Sequence, residues 1–278
     1  MSLRVVAASA GTSVQGLERF GYSAVGVSPG GATDRGAMRL ANRLVGNPQD
    51  AAGIEVLLGG LVIEAGERTA VAVTGAAVTV SVNGRVTAFG APLALQPGDR
   101  LALATPASGL RSFVAVRGGV RRARPFTTDA LHGGMELHGA GLAVGPLASS
   151  DLVPPSQPAE DVTLRVVDGP RLDWFAPSAL AALGSAAWRV LPDSDRVGVR
   201  LEGPALERRR PGELHSEGVV RGSIQVPPSG APVVLFADHP TTGGYPVIAV
   251  VVDADVDRLS EARPGAIVRF ARRAVGWR

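Results

Sequence analysis

The sequence predicts a mainly β protein with a few short helices, organised as two domains. Three observations carry that expectation. Gly 36 and Pro 21 together make about a fifth of the 278 residues, a density of turn formers that suits short strands joined by tight turns and not a helical bundle. Short apolar or alternating runs recur between those turns along the whole chain, the pattern of barrels or sandwiches and not of βαβ units. At roughly 150 residues per domain the length accommodates two domains.

In the first half, strands are read at Leu3–Ala7, Ile54–Leu58, Leu61–Glu64, Ala70–Thr74, Val78–Val82, Leu101–Ala104 and Ser112–Val116. Asn83-Gly84 suits a two-residue hairpin turn. A helix is expected over Arg35–Val45, with Thr33 or Asp34 as N-cap and Gly46 just past its end. Its Ala37, Leu40, Ala41 and Leu44 recur at the spacing of one buried face. The polar, Pro-rich stretch Gly145–Asp161 is the best linker, giving domains of 1–150 and 151–278. The second half adds strands at Val162–Val167, Trp188–Leu191, Val219–Val226, Pro232–Phe236, Val247–Val252 and Ala266–Phe270. Short helices are expected over Pro177–Leu183 and from Asp253 or Asp255 to Ala262.

Two absences narrow the chemistry. There is no Cys, which excludes thiol nucleophiles, disulfides, Fe–S clusters and Cys-bound zinc. There is also no Lys, so all 28 basic residues are Arg. Without Lys the chain forms no Schiff base, completes no phosphate loop, carries no biotin and supplies no Ser-Ser-Lys amidase centre. The pI near 10.4 reflects Arg as the only base, since the formal charge is only +3. The clusters Arg121–Arg122 with Arg124 and Arg208–Arg209–Arg210 lack interleaved aromatics, so no nucleic-acid partner is expected. The four His residues show no metal-ligand spacing, and no metal site is expected. No apolar stretch of 18 residues occurs, and the N-terminus has no leader pattern; a cytoplasmic protein with no membrane partner is the expectation.

The residues that invite chemistry gather in the second half. Ser216-Glu217-Gly218 leads into Gly222-Ser223-Ile224-Gln225-Val226-Pro227-Pro228, followed by Asp238-His239-Pro240 and the loop Thr241-Thr242-Gly243-Gly244-Tyr245-Pro246. Small polar residues with two Gly let backbone N–H groups approach an anion or a carbonyl. The same pattern also reads as tight turns of a Gly-rich β protein, and at this level both readings stand. A triad of Ser216, Asp238 and His239 is disfavoured because neighbouring side chains on an extended segment point apart. In the first half, Gly26 to Asp34 forms a Gly-rich loop opening a helix, where Asp34 is explained by capping alone.

These blocks resemble a known family: allophanate hydrolase subunit 2, also called KipA or the 5-oxoprolinase C-subunit (PxpC), and described as biotin-dependent carboxyltransferase-like. The resemblance is carried by Leu40 to Asn47 with Glu55, Thr74-Gly75-Ala76, Ser194-Asp195-Arg196, Leu201-Glu202-Gly203, Ser216 to Gly218, Gly222 to Pro228 and Thr241 to Pro246. It implies two cyclophilin-like β-barrel domains and a KipI/PxpB-like partner subunit, with a PxpA-like third subunit in the oxoprolinase case. The implied activity is ATP-dependent opening of a small amide or lactam, 5-oxoproline to glutamate above all, with ATP in the complex. Two alternatives accompany it. One is an allophanate- or urea-type carboxyltransferase subunit taking CO₂ from biotin on a separate carrier. The other is a KipA-like, non-catalytic antagonist of a kinase-inhibitor protein.

Laid on the matched positions, Arg196 would grip a substrate carboxylate or phosphate. Glu217 or Asp238 would be the general base, while Gln225 and Tyr245 would orient substrate. Backbone N–H groups at Thr242, Gly243 and Gly244, beside Thr241, would stabilise an oxyanion. Asp34, Asn42 and Glu55 form a secondary N-terminal cluster. The chain departs from the family at Gln15 to Gly21, at Arg124 to Asp129 and at Val247.

Overall fold

The computed structural model describes residues 1–122, 129–148, 161–212 and 214–273. Arg124, most of the block to Asp129, and residues 149–160 of the expected linker lie outside the described residues. The chain divides into two compact units. One comprises Met1–Glu18 and Asp34–Pro158; the other comprises Arg19–Thr33 and Ala159–Arg278.

The first unit contains two six-stranded sheets. One runs in spatial order through Glu136–His138, Ser2–Ala7, Val62–Ala65, Arg100–Leu103, Val80–Val82 and Arg85–Thr87. The other runs through Asp129–Ala130, Ser13–Gln15, Gly53–Leu57, Arg111–Val116, Thr69–Gly75 and Leu93–Leu95. Alternation decides which face of each strand is buried where. Leu3, Val5 and Ile63 of the first sheet share a core with Ile54, Val56, Val71, Val73, Val114 and Val116 of the second. Ala72 and Ala115, offset by one residue, face the other way against Ala41 and Leu44 of the helix Arg35–Leu44 and its C-cap Val45. Small residues there let the helix lie close, and the Thr74 hydroxyl donates to the Ala37 carbonyl at 2.7 Å.

This helix follows its sequence signals. Asp34 is the N-cap, its carboxylate accepting from Ala37 N–H at 2.7 Å. At the other end Gly46 takes φ +73° and donates to Arg43 O. The hairpin Val80–Val82 to Arg85–Thr87 turns through Asn83 and Gly84, both at positive φ (51° and 77°). A two-residue turn of that hand requires this conformation at both positions.

The second unit is built on a closed seven-stranded barrel. In order around it lie Asp161–Asp168, Val247–Val251, Ser223–Gln225, Val233–Leu235, Gly198–Glu202, Trp188–Val190 and Ile267–Arg272. Closure is made by the parallel pairing of the first and last of these, Val162 opposite Val268 and Leu164 opposite Phe270. Leu164, Ile224, Val234, Phe236, Ile248 and Phe270 fill the interior. Such a barrel leaves no open sheet edge. The helix Pro177–Ser185 begins on Pro, as the sequence predicts, and its Leu183 carbonyl accepts from the buried Trp188 indole at 3.1 Å.

Two expectations are corrected. The run Val219–Val226 is not one strand: only Ser223–Gln225 of it is strand, in the barrel, while the preceding Glu217–Gly218 belongs to a separate two-stranded ribbon. Gly222, at φ +86°, turns the chain between them, and Arg221 is buried there instead of lying on a strand face. The last helix is four residues of α-helix, Asp253–Val256, followed by a 3₁₀ turn over Asp257–Glu261.

Candidate functional site

The site follows from how the barrel strand Ser223–Gln225 meets its neighbour Val247–Val251. Ser223 pairs with Val250 and Ile224 with Ala249, but Gln225 pairs with Val247, so one extra residue is accommodated there. A bulge of this kind re-aims the side chain beside it. Gln225 is 6% exposed, and its amide donates to Tyr245 O at 3.2 Å. The loop carrying Tyr245 is tied down in turn. Thr242–Gly243 pairs with Glu217–Gly218, placing Glu217 opposite Gly243. Leu214 N–H donates to Gly244 O at 3.0 Å, and Val219 N–H to Thr241 O at 3.2 Å.

Gly243 is where these elements meet. A Cβ there would lie 2.5 Å from Gln225 Nε2, and 3.4 Å from its Cδ and Oε1. Only glycine lets the amide pack on the ribbon backbone. Glu217, Gln225 and the segment Thr241 to Tyr245 are therefore brought into one group, with Tyr245 and Thr242 exposed.

Glu217 is not a lone carboxylate. Arg171 grips it with both prongs, Nε on Oε2 at 2.9 Å and Nη2 on Oε1. That hydrogen bonding, together with the guanidinium charge, holds the Glu217 carboxyl below its ordinary value, against a smaller opposing effect of desolvation. Arg171 is a residue that sequence reasoning does not single out. Its signal is faint: one Arg following the turn Asp168-Gly169-Pro170.

Arg196 and Asp238 form a second group. Arg196 Nε reaches Asp238 Oδ2 at 2.7 Å, and Nη2 reaches Oδ1 at 3.1 Å and the Gly31 carbonyl at 2.6 Å. The backbones are tied as well, Asp238 N–H donating to Arg196 O at 2.7 Å. Arg19 lies here too: a Cβ on Gly30 would fall against its guanidinium and 3.3 Å from Asp238 Oδ1. Asp195 serves the turn, accepting from Val197 and Gly198 N–H at 2.8 and 3.0 Å. Asp238 stands three residues before Thr241, at most about 11 Å along even an extended chain.

Asp34, Asn42 and Glu55 occupy three different settings. Asp34 caps the helix and Asn42 lies eight residues on, about 12 Å along its axis. Asn42 is buried; its Nδ2 donates to Ala51 O at 2.8 Å and its Oδ1 accepts from Asn47 at 3.0 Å. Glu55 is buried on its strand against Arg111, 3.3 Å away. His239 Nδ1 faces the Pro240 carbonyl at 2.7 Å. Among the described residues, no group of three or more His, Asp or Glu is placed to hold a metal ion. No helix among them is long and apolar enough to cross a membrane.

Comparison with known proteins gives one consistent result. The family described as carboxyltransferase domain, subdomain A and B, matches residues 25–272. The chain is 33% identical to the 5-oxoprolinase C-subunit of Escherichia coli K12, over 97% of this chain and 91% of that protein. Its fold superposes on K. lactis urea amidolyase with a TM-score of 0.87 at 27% identity, covering 98% of this chain but 19% of that one. It superposes on the protein TTHA0988 with a TM-score of 0.86 at 32% identity, covering 97% of this chain and 55% of that one.

Proposed function

The chain belongs to the carboxyltransferase domain family, subdomains A and B, and from that premise we propose that it is a subunit of an ATP-dependent amide-processing complex of the 5-oxoprolinase type. One observation carries this reading. The alignment with the E. coli 5-oxoprolinase C-subunit runs nearly end to end in both proteins, 97% of one and 91% of the other. The urea amidolyases, by contrast, contain this module as less than a fifth of their length.

In this proposal the complex opens the lactam of 5-oxoproline to glutamate, coupled to ATP hydrolysis, with a KipI/PxpB-like and a PxpA-like subunit as partners. A lactam presents one N–H and one C=O on adjacent atoms. A primary amide such as Gln225 carries the complementary acceptor and donors and is already held against Gly243. The substrate's carboxylate is the natural competitor for the fork of Arg196, which otherwise holds Asp238. When it takes that fork, Asp238 is released from its ion pair and serves as the general base. Glu217 stays clamped by Arg171 and acts as a fixed negative charge beside the ribbon.

The test is steady-state kinetics of the assembled complex with Arg196→Ala and Asp238→Asn variants. Arg196→Ala should raise KM for 5-oxoproline at least tenfold, and Asp238→Asn should lower kcat with KM little changed. Full activity in Arg196→Ala would remove the assignment. Biotin-dependent carboxyl transfer is the second reading, favoured by the urea amidolyase matches. It requires a separate biotinylated carrier, since the chain has no Lys.

A further inference from the structure

Between Arg19 and Thr33, within the second unit, the chain forms a compact loop with a closed neck. Arg19 N–H donates to Pro29 O at 2.8 Å. Beyond the neck the chain is pinned twice, by Arg196 on Gly31 O at 2.6 Å and by the buried Arg221 on Thr33 O at 2.8 Å. The tip is ordered by its own backbone: Val25 N–H to Tyr22 O at 3.1 Å, Gly26 N–H to Ser23 O at 3.0 Å, and Val27 N–H to Tyr22 O at 3.2 Å. A Cβ on Gly21 or Gly26 would meet nothing within 4 Å, so the tip stands in open space.

A compact surface loop ordinarily packs on its own apolar side chains. This one presents them outward: Phe20 is 75% exposed, Val25 74%, and Tyr22 is exposed as well. Val197 and Val220, each next in sequence to a pinning arginine, are also exposed. From Phe20 to Thr33 there is no charged residue, in a chain where 19% of residues are charged. An ordered, uncharged loop offering an aromatic and a branched aliphatic residue has the make-up of an interface anchor.

A relative supplies a partner for it. The same module makes up 55% of the TTHA0988 chain, where it is covalently joined to further protein. We infer that the loop Arg19–Thr33, through Phe20, Tyr22 and Val25, is the docking element for a second polypeptide equivalent to the remainder of the TTHA0988 chain. That polypeptide takes the aromatic and aliphatic anchors into an uncharged apolar groove. This inference rests on the subunit reading above. Because residues 20–33 carry no charge, the association depends little on ionic strength, unlike one steered by charge.

The experiment measures the affinity of the full chain for that polypeptide, purified from the same genome, by titration calorimetry at about 50 and 300 mM salt. The variants are Phe20→Ser with Val25→Ser, and Val25→Thr alone as the milder change. Val86→Ser, a residue 75% exposed in the first unit, is the control. The expected result is affinity weakened roughly 10- to 100-fold in the double variant and by a smaller factor in Val25→Thr. Melting temperature is retained, the control is unaffected, and salt shifts affinity less than about threefold. Wild-type binding that survives the double variant unchanged would overturn the docking assignment and leave the subunit reading intact. Self-association of the chain abolished by the double variant would also overturn it, assigning the loop to a second copy. A wild-type chain that does not bind the polypeptide would overturn both.

Discussion

Gly243→Ala tests whether the packing of Gln225 on the ribbon matters for chemistry or only for stability. The added Cβ would sit 2.5 Å from Gln225 Nε2, about 1 Å inside ordinary van der Waals contact. The backbone accepts alanine there, so the side chain has to yield. Moving the amide by about 1 Å breaks its 3.2 Å hydrogen bond to Tyr245 O. A lost hydrogen bond costs about 0.5–1.5 kcal/mol and an off-rotamer side chain about as much. The sum is about 1–3 kcal/mol, a fall in melting temperature of about 3–10 °C for a unit of this size. Because a 1 Å displacement of a positioning group costs up to about 10²-fold in rate, kcat/KM should fall by about 10- to 100-fold. The assays are thermal melting followed by circular dichroism and ATP turnover by the assembled complex. Adding Gln225→Ala removes the clash, so the double variant should lose less stability than the two single losses summed. A melting temperature lowered as calculated, with kcat/KM within twofold of wild type, would refute the role given to Gln225.

Asp255 is buried and accepts three hydrogen bonds from Arg165, from its N–H, Nε and Nη2 at 2.8, 2.9 and 2.6 Å. These bonds hold its carboxyl below the ordinary value of 3.8, so its stabilisation is present at neutral pH and is lost as pH falls through the lowered folded value. Asp255→Asn should therefore cost about 1–2 kcal/mol at pH 7, with the difference in melting temperature shrinking below pH 3.8; a difference constant from pH 7 to 3 would contradict this. Arg171→Gln should let the Glu217 carboxyl rise toward its ordinary 4.5, seen as an upward move of its titration midpoint by carboxyl-labelled NMR. Asn42→Ala should destabilise the first unit by about 2–4 kcal/mol, since it strands Ala51 O and an Asn47 N–H in the interior. Activity per folded molecule should not change; a loss of activity without loss of stability would give Asn42 a role in a site.

What the sequence made legible was whatever depends on short-range chemistry. The Asp34 cap, Gly46, the Asn83-Gly84 hairpin and the alternating Val162–Val167 strand are each set by a few neighbouring residues, and each lies where the local rules put it. The strand Gly198–Glu202 has no clear local signal, because Arg200 interrupts its apolar run and its pairing partner Val233–Leu235 is distant in sequence. The same limit applies at the site. The motifs Ser216 to Gly218, Gly222 to Pro228 and Thr241 to Pro246 lie on segments that the fold brings together. That Glu217 is clamped by Arg171, 46 residues away, and Arg196 by Asp238, 42 residues away, depends on barrel closure and has no local signature. Nor does periodicity reveal that residues 19–33 belong with the second unit, since the pinning arginines are far along the chain.

The most direct test of the central claim follows carbon-labelled 5-oxoproline by NMR in the complex assembled from this chain and its two partner subunits, with ATP. The account predicts that glutamate appears in step with ATP consumption, and that omitting this chain abolishes both. Undiminished glutamate formation without the chain, or ATP consumption by a stable complete complex that 5-oxoproline does not alter, would contradict it.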